Sequence, residues 1–233
     1  MTTDDLNQYL MTLKISRDRI LQEEAEMIFL DYLAKDRISN SLLFYGGTAL
    51  RLAYNSPRFS EDVDLLVIKT LKFVDFKKFI NLVISKQVNW SLKDLKDKRQ
   101  TMFALILIND DKLKNNFSLK IEIHKPVKRI KLENQLTLIK SPVSFLEPLL
   151  LVPTLSELKK LKELALLGRQ KGRDIFDLWY ISRVLRQEFK LPAKLPIYKE
   201  KEFKNELQVF LPTKYYPVIQ ELYEQIRARN KKN

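Results

Sequence analysis

The stretch that most restricts the fold runs from Ser41 to Val67, SLLFYGGTALRLAYNSPRFSEDVDLLV. A short apolar run ends in Gly46-Gly47, which predicts a buried strand entering a tight turn. TALRLAYN then carries a helical pattern opening on Thr48 as N-cap, and NSPR breaks it. EDVDLLVI follows as a second strand, with Val63 and Leu65 on one face and Asp62 and Asp64 on the other. Strand, glycine turn, helix and acid-bearing strand must therefore pack within about 25 residues, which commits the chain to a mixed α and β core.

Asp62 and Asp64 are two apart on a strand, so their carboxylates share one side at about 6–7 Å along the backbone. Carboxylates so placed can hold divalent ions together with substrate phosphates. The glycines complement them. Gly46 and Gly47 let backbone N–H groups approach a phosphate, the following helix aims its positive end there, and the Thr48 hydroxyl can reach a phosphate oxygen. Each feature alone is weak; the order in which they occur is specific.

The rest of the chain supplies a frame for this corner. Leu6 to Lys35 reads as two amphipathic helices broken near Ile15 and Ser16, and DFKKFINLVISKQ as a further helix. Met102–Asn109 and Phe117–Lys125 read as an antiparallel hairpin joined by DDKLKNN. In its second strand Leu119, Ile121 and Ile123 alternate with Lys120, Glu122 and His124, so Glu122 lies on a polar face as a candidate third carboxylate. His124 is the sole histidine, which excludes a multi-histidine metal site. Pro142, Pro148 and Pro153 mark a connector, and from there the pattern is helical to about Gln187, with one more helix and a basic tail at the end. This divides the chain into residues 1–150, the catalytic part with its N-terminal helices, and residues 151–233, a helical part completing the cleft.

Two motifs bring a known family into view. GGTALRLAYNSPRFSEDVDLLV resembles the glycine turn and D-x-D strand of polymerase-β-like nucleotidyltransferases, and within them the AbiEii/AbiGii class of toxins. KELALLGRQKGRDIFDL, from Lys162 to Leu178, is similar to the second motif of that class. The resemblance covers about residues 40 to 180 and departs at Gly168, where the family often has an acidic residue. It implies an α+β fold with a polymerase-β-like core, a mixed sheet flanked by helices, between N-terminal helices and a C-terminal helical region. Asp62 and Asp64 match the metal-binding pair and Ser60 a serine beside it; Lys162 matches a required lysine, and Asp177 or its neighbour Asp174 the acid of the second motif. Glu122 enters as third metal ligand from strand alternation. Arg58, Arg169 and Arg173 are candidates to fork phosphates.

The implied activity is transfer of a nucleoside monophosphate from an NTP to a hydroxyl, with two Mg²⁺ ions, or Mn²⁺, as cofactors. The implied acceptor is a tRNA 3′ end, and the implied partner a cognate antitoxin. A formal net charge of +13 agrees with an RNA acceptor. The absence of cysteine excludes disulfides and thiolate sites. The charged N-terminus and the lack of an apolar run near 18 residues predict a cytoplasmic protein with no membrane partner. Transfer to a small molecule or a protein side chain, and an inactive nucleotide- or RNA-binding module of the same fold, stay open on the sequence.

Overall fold

In the computed structural model, which describes residues 1–111, 116–127, 131–169, 171–191, 195 and 197–230, alternation along the strands decides which way the sheet faces. Five strands, β1 (Leu42–Tyr45), β2 (Asp62–Val67), β3 (Trp90–Asp97), β4 (Thr101–Ile108) and β5 (Phe117–His124), form a mixed sheet in the order β1-β2-β5-β4-β3. β2 and β5 run parallel, while the other neighbours are antiparallel. The β4–β5 hairpin matches expectation, and its connecting residues 112–115 lie outside the described residues. Val63, Leu65, Met102, Ala104, Ile106, Leu119, Ile121 and Ile123 are all buried on one face.

Helices α2 (Arg17–Lys35) and α4 (Phe73–Ser85) cover that face with Phe29, Leu30, Leu33, Phe76, Phe79 and Ile80. Phe29 and Phe79 meet edge to face at 5.5 Å between ring centroids, locking the two helices over the sheet. Each such aromatic contributes roughly 1.5–3 kcal/mol by burial. The opposite face at β2 and β5 stays polar, and this is where the cleft opens. Helix α1 (Thr3–Leu13) ends at Lys14 in a left-handed conformation and packs Leu6 against Ile20, Leu21 and Phe59.

The connector departs from expectation. The proline-marked connector contains a two-stranded antiparallel sheet, β6 (Asn134–Leu138) with β7 (Leu149–Pro153). β7 buries Leu150 and Val152 in the main core. The charged stretch 93–99 is largely solvent-facing, and most of it belongs to β3. It is an edge strand whose exposed charges and register shift between Leu92 and Asp94 guard an open edge.

Helices α5 (Leu155–Gly168), α6 (Gly172–Val184), α7 (Glu200–Gln208) and α8 (Tyr216–Asn230) enclose a second core around Ile175, Phe176, Phe203, Leu207 and Leu222. The basic tail beyond Asn230 lies outside the described residues. Leu50 from α3 (Gly46–Tyr54) packs on Leu158 and Ile181, joining the two cores. The Phe59 amide also donates to the Phe210 carbonyl at 2.8 Å. Among the described residues, no helix is long and apolar enough to cross a membrane.

Candidate active site

Backbone geometry at Gly46 sets the site's floor. Gly46 has φ of +88°, a conformation that costs any L side chain about 1–2 kcal/mol, and a Cβ there would overlap the Asp64 carboxylate. Gly47 is equally constrained, because a Cβ would lie 2.5 Å from Arg58 Nη2 and 2.8 Å from Ser60 Oγ. Helix α3 begins at Gly46 itself, behind an extended Tyr45 with no side-chain cap. The first-turn amides thus have no competing side-chain acceptor, which suits an anion.

Thr48 departs from its expected role. The N-cap is Tyr45, three residues earlier, so Thr48 is inside the helix, fully buried, and its Oγ1 donates to the Asp62 carbonyl at 2.5 Å. This hydroxyl ties helix to strand and does not reach for phosphate.

The parallel register pairs Asp62 with Lys120 and Asp64 with Glu122. All four side chains, with His124, line one cavity of about 430 Å³. Lys120 Nζ sits 2.9 Å from Asp62 Oδ2 and 3.3 Å from Glu122 Oε2. His124 Nε2 lies 3.9 Å from Asp64 Oδ1, and its ring stands edge-on to Tyr45 at 5.9 Å.

Burial pushes the Asp64 carboxyl up to about 7, and the neighbouring Asp62 charge adds to this against the pull of Lys162. Asp62 is raised by burial too, with Lys120 opposing. Burial lowers His124, against the pull of Glu122. Acidic groups held so close resist ionising together, so the cleft favours a cation.

The opposite wall is α5 and the start of α6. Leu158, Leu161 and Ala165 give it an apolar surface, and Lys162, Arg169 and Arg173 give it positive charge. Lys162 is 5% exposed, with Nζ 2.6 Å from Asp177 Oδ2 and 3.1 Å from Asp174 Oδ1. Asp174 also accepts from Arg169 Nε at 2.8 Å and Nη2 at 2.9 Å. Burial by itself would raise the Asp177 carboxyl, yet Arg58 and Lys162 overcome it and hold Asp177 at about 2. The two buried acids position the cations; neither faces the cavity as a free carboxylate.

Arg58 is 1% exposed, grips Asp177 through Nε at 2.6 Å and Nη2 at 2.8 Å, and donates Nη1 to the Phe59 carbonyl. Arg58 thereby clamps the strand segment to α6 while still lining the cavity beside Gly47. Arg173 stays at the rim, its Nε 3.8 Å from Glu206. Ser60 lines the cavity beside Gly47.

The cavity therefore gathers Gly46, Gly47, Arg58, Ser60, Asp62, Asp64, Glu122, Lys162, Arg169 and Arg173, and leaves out Thr48, Asp174 and Asp177. Lys120 and Tyr45 escaped the sequence reading as cleft residues. Lys120 shares the parity of Glu122 on its strand, the one signal that could have found it.

A family model described as the nucleotidyl transferase AbiEii toxin of type IV toxin–antitoxin systems matches residues 28–228. The fold is similar to that of JHP933 from Helicobacter pylori, with TM-score 0.56 at 21% identity over 93% of this chain and 98% of that one. It is also similar to MenT4, a nucleotidyltransferase toxin from Mycobacterium tuberculosis, with TM-score 0.57 at 16% identity over 89% and 69% of the respective chains. No curated protein matches the sequence.

Proposed function

The chain belongs to the AbiEii nucleotidyl transferase toxin family of type IV toxin–antitoxin systems, and from that premise we propose a Mg²⁺-dependent transfer of NMP from an NTP to a tRNA 3′ end. On this reading it acts in the cytoplasm, serves abortive infection and is restrained by a cognate antitoxin. One observation carries the proposal: Asp62, Asp64 and Glu122 face Lys162 across a single cavity floored by Gly46 and Gly47.

The donor set fits divalent ions. Three oxygen-bearing side chains converge from two parallel strands, and Lys120 already holds a positive charge between Asp62 and Glu122. Asp62, Asp64 and Glu122 would hold the ions, which would supply Lewis-acid stabilisation of charge at the α-phosphate and activation of the attacking hydroxyl. Residues 1–150 supply the acids and the anion-binding turn, and residues 151–233 the cationic wall.

In the step itself, the acceptor oxygen forms a bond to the α-phosphorus while the bond from that phosphorus to the bridging oxygen breaks. Pyrophosphate leaves with the electron pair, and the hydroxyl proton passes to the cleft carboxylates and on to water. The uncapped amides at Gly46 and Gly47 orient the triphosphate. Lys162, held by Asp174 and Asp177, offers a fixed positive charge without reorganisation as charge develops, and Arg173 closes the rim. Ser60 stands beside the turn, where its hydroxyl can donate a hydrogen bond to phosphate. A net charge of +13 favours a polyanionic acceptor.

The test is incubation with labelled NTPs, Mg²⁺ and total RNA. Label is expected in tRNA-sized RNA and lost on adding a chelator or in Asp62→Ala. Label in protein, or in neither, overturns the acceptor; undiminished labelling by folded Asp62→Ala overturns the site.

A further inference from the structure

His124 is the cleft residue for which nucleotidyl transfer as described has no use, and its position gives it one. Alternation puts it on the same face of β5 as Glu122, one step further along the strand, where the register sets it opposite Leu66. Among the described residues, Asp64, Glu122 and His124 each offer one ligand atom, and all three atoms lie within 4.8 Å of one another. The Tyr45 ring, edge-on at 5.9 Å, limits the planes the imidazole can adopt. Lys120 meanwhile engages Asp62 and Glu122, so Asp64 has His124 as its near cationic or ligand-bearing neighbour on that side.

We propose that His124 is a nitrogen ligand of the catalytic cleft, so that the metal position at Asp64, Glu122 and His124 selects a first-row transition ion over Mg²⁺. This rests on the reading that Asp64 and Glu122 bind metal. The reasoning is ligand chemistry. Mg²⁺ favours oxygen donors in a near-ideal octahedron, whereas imidazole suits first-row ions such as Fe²⁺, Ni²⁺ and Zn²⁺; Mn²⁺, at the oxygen-favouring end of that row, accepts one imidazole among carboxylates and serves as the spectroscopic probe. The position at Asp62 and Asp64 has oxygen donors alone and keeps its tolerance for Mg²⁺. The two positions of the cleft thereby differ in selectivity, and Asp64 is common to both.

Mn²⁺ alone is the probe. Pulsed EPR of the full-length protein loaded with one equivalent of Mn²⁺ is expected to show nitrogen modulation from a directly bound imidazole. In His124→Ala the modulation disappears and calorimetric Mn²⁺ affinity falls about tenfold or more, while Mg²⁺ affinity changes less than about twofold. Mn²⁺ bound without nitrogen modulation in the wild-type protein overturns the proposal, as does failure to bind Mn²⁺ at millimolar concentration. The wild-type spectrum decides without reliance on a variant's folding. RNA labelling in Mg²⁺ separates the two readings: labelling without nitrogen modulation sinks the role of His124 and spares the transferase, and nitrogen modulation without labelling does the reverse.

Discussion

Replacing Asp177 with asparagine removes the carboxylate on which two buried cations depend. Asparagine keeps one acceptor oxygen but no charge, so the bidentate grip on Arg58 Nε and Nη2, at 2.6 and 2.8 Å, is broken and the 2.6 Å contact to Lys162 loses its ionic partner. Arg58 is 1% exposed, so water cannot take the carboxylate's place. Lys162 keeps Asp174, and most of the cost therefore falls on Arg58. Breaking a buried pair from one side costs about 3–5 kcal/mol, a large share of the roughly 5–15 kcal/mol that holds a domain together. Urea unfolding followed by tryptophan fluorescence reports this, since Trp179 lies on the same helix. The double variant Arg58→Met with Asp177→Leu strands no charge on the Arg58 side and is expected to be more stable than Asp177→Asn. There is a matching pH dependence. The Asp177 pKa is held near 2, below its ordinary 3.8, so its contribution is complete above pH 3.8 and lost as pH falls toward 2. A loss below about 1 kcal/mol in Asp177→Asn, the range of an exposed ion pair, would refute the reasoning.

Two further outcomes follow from single residues. Glu26 on α2 is buried, its Oε1 lacks a hydrogen-bond partner, and burial, with Glu23 and Asp62 adding to it against Gln22 and Arg19, pushes its pKa well above 4.5. The folded state then keeps a proton that the unfolded chain releases, so this carboxyl lowers stability as pH rises past 4.5. Glu26→Gln is expected to raise the urea midpoint at pH 8 and flatten its change from pH 5; parallel slopes in the two proteins refute this. Gly46→Ala places a methyl against Asp64 at positive φ and is expected to cut RNA labelling by at least about tenfold while a cooperative thermal transition persists. Unaltered labelling would show that the turn does not hold Asp64 in place.

What the sequence revealed depended on how far apart the partners lie. Gly46, Gly47, Asp62 and Asp64 fall within one strand-helix-strand unit, so their shared site is local information. Glu122 was accessible from strand alternation, since a period of two assigns it to the polar face whatever its neighbours are. The buried ion pair of Arg58 was hidden because its partner is 119 residues away, and a cation's burial cannot be known before its acid is placed. Thr48 was misread through a three-residue error in the N-cap position, the least determined part of any helix. β6 and β7 were hidden by prolines that the structure puts in the turn and at the strand's borders, where no ladder hydrogen bond is lost.

The Arg58–Asp177 clamp also has a consequence for the order in which the chain is made. During synthesis Arg58 emerges long before its carboxylate, and with it Lys162 before the two acids that hold it. A nascent chain can fold its sheet and display Asp62, Asp64 and Glu122 while lacking the cationic wall, and it keeps an unpaired guanidinium where the native protein has a buried one. Every truncated product ending before α6 is in that condition. In this member of a nucleotidyl transferase toxin family, the cationic wall is thus the last part of the cleft to be made, and both walls are present only once translation has passed α6.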